Sequence, residues 1–135
     1  MKSLDTNVLA RFFIDDPDDE QAAAQRPAAV GALAERCFVS VTVLLELEWV
    51  MRGFYGLPSA EFIRVAGALA GAEHVSLEDR DAVLAAVEAH GQGLDFADAL
   101  HLARSGRASG FVTFDQRLAK RAAALAVGPP VEVLA

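Results

Sequence analysis

Short apolar runs alternate along this chain with longer stretches whose apolar positions recur at helical spacing. The opening residues end a strand on Asp5, and Val8 to Ile14 read as an apolar helix starting directly after it. Asp15-Asp16-Pro17 is a turn with acids at a helix start. Helical residues then run from Asp18 to Arg36, and Pro27 is expected to kink or split them. Cys37 to Ser40 is the second strand. Thr42 to Gly53 follows as a helix whose Leu44, Leu45, Leu47, Val50 and Met51 can form a buried face. Ser59 is an expected N-cap for a helix reaching Leu69, and His74 to Ser76 form a weak third strand. Ser76-Leu77-Glu78-Asp79 matches a capping box opening a helix to His90. After the break at Gly91-Gln92-Gly93, Asp95 to Ser105 is helical and Phe111 to Phe114 is the fourth strand. Gln116 to Leu125 is a further helix, and Val131 to Leu134 is the last strand.

Strands alternating with helices imply an α/β fold, a parallel sheet with helices on both faces. At 135 residues, without repeat or linker, the chain is expected to be one domain over 1–135. A hydrophobic content of 53% speaks against disorder. No run approaches the ~20 apolar residues of a membrane span. Asp5, Arg11, Asp15 and Asp16 interrupt any signal-peptide core. Cys37 is the only cysteine, so no intrachain disulfide forms and a reducing cytoplasm fits. The net charge of -7 argues, taken alone, against a nucleic-acid partner.

Four acids stand where chemistry collects in such a sheet. Asp5 follows strand one and Asp115 follows strand four, at the carboxyl ends of strands. Taken alone, Asp5 is better explained as a cap of the helix that follows it. Glu46 lies on the helix after strand two, and Asp98 in the first turn of the helix before strand four. All sit among apolar residues, where a carboxylate is costly unless paired or metal-bound. Glu48, two residues from Glu46, faces nearly the opposite side and reads as an ordinary solvated charge. Asp95 and Asp98 have capping-box spacing, so helix initiation explains both as well. His101 follows Asp98 by three residues, but a partly buried helical histidine is commonplace and Mg²⁺ prefers oxygen. Core packing is the default for Trp49, Phe54 and Tyr55, with an interface patch as the alternative.

Leu4-Asp5-Thr6-Asn7-Val8-Leu9, Val43-Leu44-Leu45-Glu46-Leu47-Glu48-Trp49-Val50, Phe96-Ala97-Asp98-Ala99-Leu100 and Thr113-Phe114-Asp115 together resemble the PIN-domain ribonucleases. Their order and spacing are similar to the VapC-type toxins of bacterial type II toxin–antitoxin pairs. Each motif alone is weak, and four in order over almost the whole chain are strong. The resemblance implies a single five-stranded parallel sheet flanked by helices, and an acidic quartet at Asp5, Glu46, Asp98 and Asp115. It implies supporting hydrogen bonds from Thr6 and Thr113, an RNA substrate, a homodimer and a cognate antitoxin.

Carboxylates gathered in one cleft repel, and without a cation some take up protons. Mg²⁺, or Mn²⁺ in its place, offsets that repulsion and can activate water against a phosphodiester. In this reading Asp5, Asp98 and Asp115 serve the metal, and Glu46 positions or deprotonates the attacking water. Setting the quartet aside takes the net charge from -7 to -3. Arg104, Arg107, Arg117, Lys120 and Arg121 crowd the segment around Asp115, so a basic rim or merely solvated helix faces result. The competing readings are a Mg²⁺-binding receiver-like domain and a protein-interaction module without turnover. The receiver reading lacks an acid pair after strand one and an acid ending strand three.

Overall fold

The structure, a computed structural model, describes residues 1–135. The chain divides into two compact units, Met1–Arg80 and Asp81–Ala135. In the first, β1 (Lys2–Ser3) leads into α1 (Thr6–Phe13) and α2 (Glu20–Ala34), followed by β2 (Cys37–Val39). There follow α3 (Val41–Trp49), a π-helical turn at Val50–Phe54, α4 (Ser59–Gly71) and β3 (Val75–Leu77). The second unit takes up α5 (Arg80–Gly91) and continues with α6 (Phe96–Ala103) and β4 (Phe111–Thr113). It ends with α7 (Gln116–Ala123) and β5 (Val131–Val133).

All strand pairs are parallel, which requires a crossover between them, and helices supply it. The order β1-β2-β3 forms one sheet, with Lys2 opposite Cys37 and Cys37 opposite Val75. β4 and β5 form a second, with Phe111 opposite Val131. A single five-stranded sheet was the expectation, and the hydrogen-bonded ladders instead form a three-stranded and a two-stranded sheet. The reason is strand length. With two or three residues each, strands have few ladder groups, and Leu4 N–H donates to the Phe38 carbonyl of β2 at 2.9 Å.

The core of the first unit is aliphatic and dense, with Leu9, Val39, Leu44, Leu47, Phe62, Val65 and Leu69 almost fully buried. Removing each such side chain from water is worth about 1.5–3 kcal/mol. α1 packs on α2 and α3, and α4 packs on β3. In the second unit Val83, Leu94, Phe96, Ala99 and Leu102 are buried, and α7 packs on β5.

Several local expectations change. α2 runs through Pro27 without ending there, and Pro27 is exposed, so the carbonyl it leaves unbonded can meet water. Ser59 is the first helical residue of α4 and makes no cap bond. Ser76 and Leu77 belong to β3, so their capping box does not form; the Glu78 side chain accepts the Val41 N–H of α3 at 2.9 Å instead. Beyond α3 the last turn widens, with Tyr55 N–H donating to the Val50 carbonyl at 3.1 Å. Trp49 and Phe54 stand out into solvent at 61% and 73% exposure, against the core packing expected of them.

Gly128 tests this packing. Its φ is +67°, and a Cβ there would strike the backbone carbonyl of Leu102. Gly56 has φ +63° with open space around it. Gly56→Ala should cost only the left-handed strain, about 1 kcal/mol, whereas Gly128→Ala should cost at least about 2 kcal/mol. Equal shifts of the denaturation midpoint in urea would show that the approach to Leu102 is relaxed elsewhere.

Candidate active site

The first unit carries two of the expected acids. Asp5 takes extended backbone after β1 and caps α1, with Oδ1 accepting the Thr6 N–H at 2.8 Å. It is exposed, and the cap leaves its second carboxylate oxygen for other chemistry. Beside it Thr6 is buried, and its Oγ1 has no hydrogen-bond partner. An unsatisfied buried hydroxyl costs about 1–3 kcal/mol, so this oxygen is an orphan within one residue of a carboxylate.

Glu46 and Glu48 separate as their two-residue spacing requires, but not in the expected way. Glu46 is exposed on α3. Glu48 is buried, not solvated, because it shares a face with Leu44, Leu47 and Met51. Arg52, one turn on, compensates it, with Nε donating to Glu48 Oε2 at 2.9 Å and Nη2 to Oε1 at 3.4 Å. The i,i+4 spacing of Glu48 and Arg52 was a sequence signal for this pair. Of the two glutamates, Glu46 is the one free for chemistry with a solvent-borne substrate.

The second unit holds the other two. Asp115 caps α7: Oδ1 accepts the N–H groups of Arg117 at 2.9 Å and Leu118 at 3.1 Å. Its own N–H donates to Thr113 Oγ1 at 3.0 Å, so Thr113 holds the turn that presents Asp115. Asp95 caps α6, with Oδ2 accepting the Asp98 N–H at 3.2 Å. Asp98 is half-buried in the first turn of α6. Its carboxyl is pushed above the usual carboxylate value, first by burial, then by the charges of Asp95 and Asp115, with His101 opposing. These three acids therefore share one electrostatic neighbourhood. His101 itself is exposed rather than partly buried.

No group of three or more His, Cys, Asp and Glu side chains stands close enough to form a metal cage. Mg²⁺ does not require one. It keeps several waters and is commonly held by one or two carboxylates, which Asp98 and Asp115 can supply. The oxygen-only donor set and the mutual repulsion at Asp98 fit a hard cation better than a soft one.

A family model for the PIN domain matches residues 3–124. The chain belongs to the PIN domain family. The match runs through both compact units and includes Asp5, Thr6, Glu46, Asp98, Thr113 and Asp115. PIN domains are generally nucleases and typically use divalent metal ions. No curated protein matches the chain by sequence. In this PIN domain no helix is long and apolar enough to cross a membrane.

The raised carboxyl of Asp98 has a thermodynamic consequence. A group with a raised folded pKa contributes stability below its unfolded value of ~4 and loses it as pH rises through the folded one. Metal-free protein should therefore lose stability at this residue as pH climbs above about 4. Asp98→Asn should flatten that part of the curve and stabilise the metal-free fold at neutral pH. Melting curves in EDTA between pH 4 and 8 measure this, and parallel curves for both proteins would contradict it.

Proposed function

We propose that this PIN domain, read as one functional domain over 1–135, is a Mg²⁺- or Mn²⁺-dependent endoribonuclease and the toxin of a type II toxin–antitoxin pair. The observation that carries the reading is the family match over residues 3–124, which contains all four acids of the expected quartet. The electrostatic neighbourhood of Asp98 and Asp115 supports it, because repelling carboxylates are what a divalent ion relieves. The toxin assignment, a homodimer in the cytoplasm and a small antitoxin partner rest on resemblance to VapC-type proteins alone.

In this mechanism Asp5, Asp98 and Asp115 would hold the ion. When bound, the ion supplies charge neutralisation and Lewis-acid help for attack on the phosphodiester. Glu46, exposed on α3, would orient the attacking water and take its proton. Thr113 keeps Asp115 oriented through its 3.0 Å bond to the Asp115 N–H. Asp95, already engaged as the α6 cap, would act on Asp98 by charge rather than by contact with substrate.

RNA cleavage should require Mg²⁺ or Mn²⁺ and stop in EDTA. Asp5→Asn and Glu46→Gln should each reduce the rate by at least about 100-fold while the fold is retained. Mg²⁺ at ~100 times its dissociation constant should stabilise the protein by about 2.7 kcal/mol, and Asp115→Asn less so. Full cleavage in EDTA would refute metal dependence. Metal binding without cleavage of any RNA would make the protein a binding module without turnover.

The biological role is tested separately. Expression of the chain alone should slow bacterial growth, with relief by a small neighbour-encoded protein. Growth arrest of equal depth by Asp5→Asn/Asp115→Asn would place the toxicity outside these acids.

A further inference from the structure

The second unit leaves apolar side chains in water that its own packing does not explain. Phe114, immediately before Asp115, is 75% exposed, and Val112 and Leu134 are 53% and 43% exposed. Val112 lies in β4, and Phe114 is the first residue after that strand. Val112 lies opposite Glu132, which puts Leu134 on the same face of the neighbouring strand. Pairing continues past β5, since the Leu134 N–H donates to the Thr113 carbonyl at 2.8 Å. The result is an exposed apolar face carrying Val112, Leu134 and one charge, Glu132, and followed directly in the chain by the exposed ring of Phe114.

The surrounding charge says what such a face suits. Residues 81–135 carry five basic side chains against six acidic, while residues 1–80 carry seven against thirteen. The excess of negative charge therefore belongs to the first unit. α7, which starts two residues after Phe114, carries Arg117, Lys120 and Arg121, all exposed, and no acid. An exposed ring beside cationic side chains is the combination that holds single-stranded nucleic acid, by stacking a base and neutralising phosphates.

We propose that Phe114, flanked by Val112 and Leu134, is a stacking platform for an unpaired nucleobase of the RNA, with phosphates met by the basic side chains of α7. The proposal rests on the ribonuclease reading and names the residue that would seat the substrate next to Asp115. Phe114 is a binding residue in this scheme and takes no part in bond breaking.

The test is binding of a fluorescein-labelled single-stranded RNA oligonucleotide to the full chain in EDTA, followed by anisotropy. Phe114→Ala should weaken binding about ten-fold or more, and Phe114→Tyr, which keeps the ring, should retain most of the affinity. An oligonucleotide with abasic sites should bind the unmodified protein as weakly as ordinary RNA binds Phe114→Ala. Because Phe114 is mostly exposed, neither variant should shift the melting temperature materially. Unchanged binding by Phe114→Ala overturns the platform while leaving the nuclease reading intact. Ring-dependent binding with no cleavage in Mg²⁺ overturns the nuclease and supports the platform. Absence of RNA binding by the unmodified chain overturns both. If Phe114→Ala leaves RNA affinity unchanged and changes the sedimentation coefficient, the face joins copies of the chain and the platform is overturned.

Discussion

The structure depends on satisfying the first N–H groups of its helices, several of which begin almost directly after very short strands. An α-helix leaves four such donors unpaired, and a strand of two or three residues has no following loop in which to hide them. The chain answers with side-chain oxygens. Asp5 serves α1, Asp19 serves α2, Ser40 and Glu78 serve α3, Asp95 serves α6 and Asp115 serves α7. Each such cap is worth about 1 kcal/mol, and four of the six are aspartates. Helix starts also favour negative charge. A solution to a hydrogen-bonding problem thus places carboxylates at the ends of β1 and β4.

Capping geometry alone does not mark a reactive acid. Asp19 Oδ1 accepts two N–H groups, at 3.0 and 3.1 Å, much as Asp115 Oδ1 accepts two at 2.9 and 3.1 Å. What separates them is company. Asp115 raises the carboxyl of half-buried Asp98, which Asp95 also presses upward. Asp5 has a buried, unpartnered hydroxyl as its next residue. Repulsion between carboxylates is unfavourable in the resting fold, and a divalent cation relieves it. The PIN family membership gives that arrangement its chemical class.

Net charge misleads for the same reason that capping does: it averages over places that differ. The -7 total is carried almost entirely by residues 1–80, where acids outnumber bases by six, and 81–135 are near balance. An acidic protein can therefore carry a segment suited to a phosphate backbone.

Interactions that close within one helical turn or along one strand were legible in the residues themselves. The alternation of strands and helices and the caps at Asp5 and Asp95 depend on neighbours one to four positions away, and the alternation itself implied the parallel α/β class. Four ordered motifs carried the family. What the residues did not decide depends on which surface meets which. Ser76-Leu77-Glu78-Asp79 has capping-box spacing, yet Ser76 lies in β3 and the Glu78 carboxylate reaches Val41, 37 positions away, because β3 pairs with β2. Glu48 is buried because its helical face is the packed one, and Trp49 is exposed because its face is not. Strand propensity indicated five strands but not that their ladders would divide three and two. Periodicity says that a face is apolar or that a donor needs a partner. Only tertiary packing chooses the partner, since that choice is made by groups far apart in the chain and near in space.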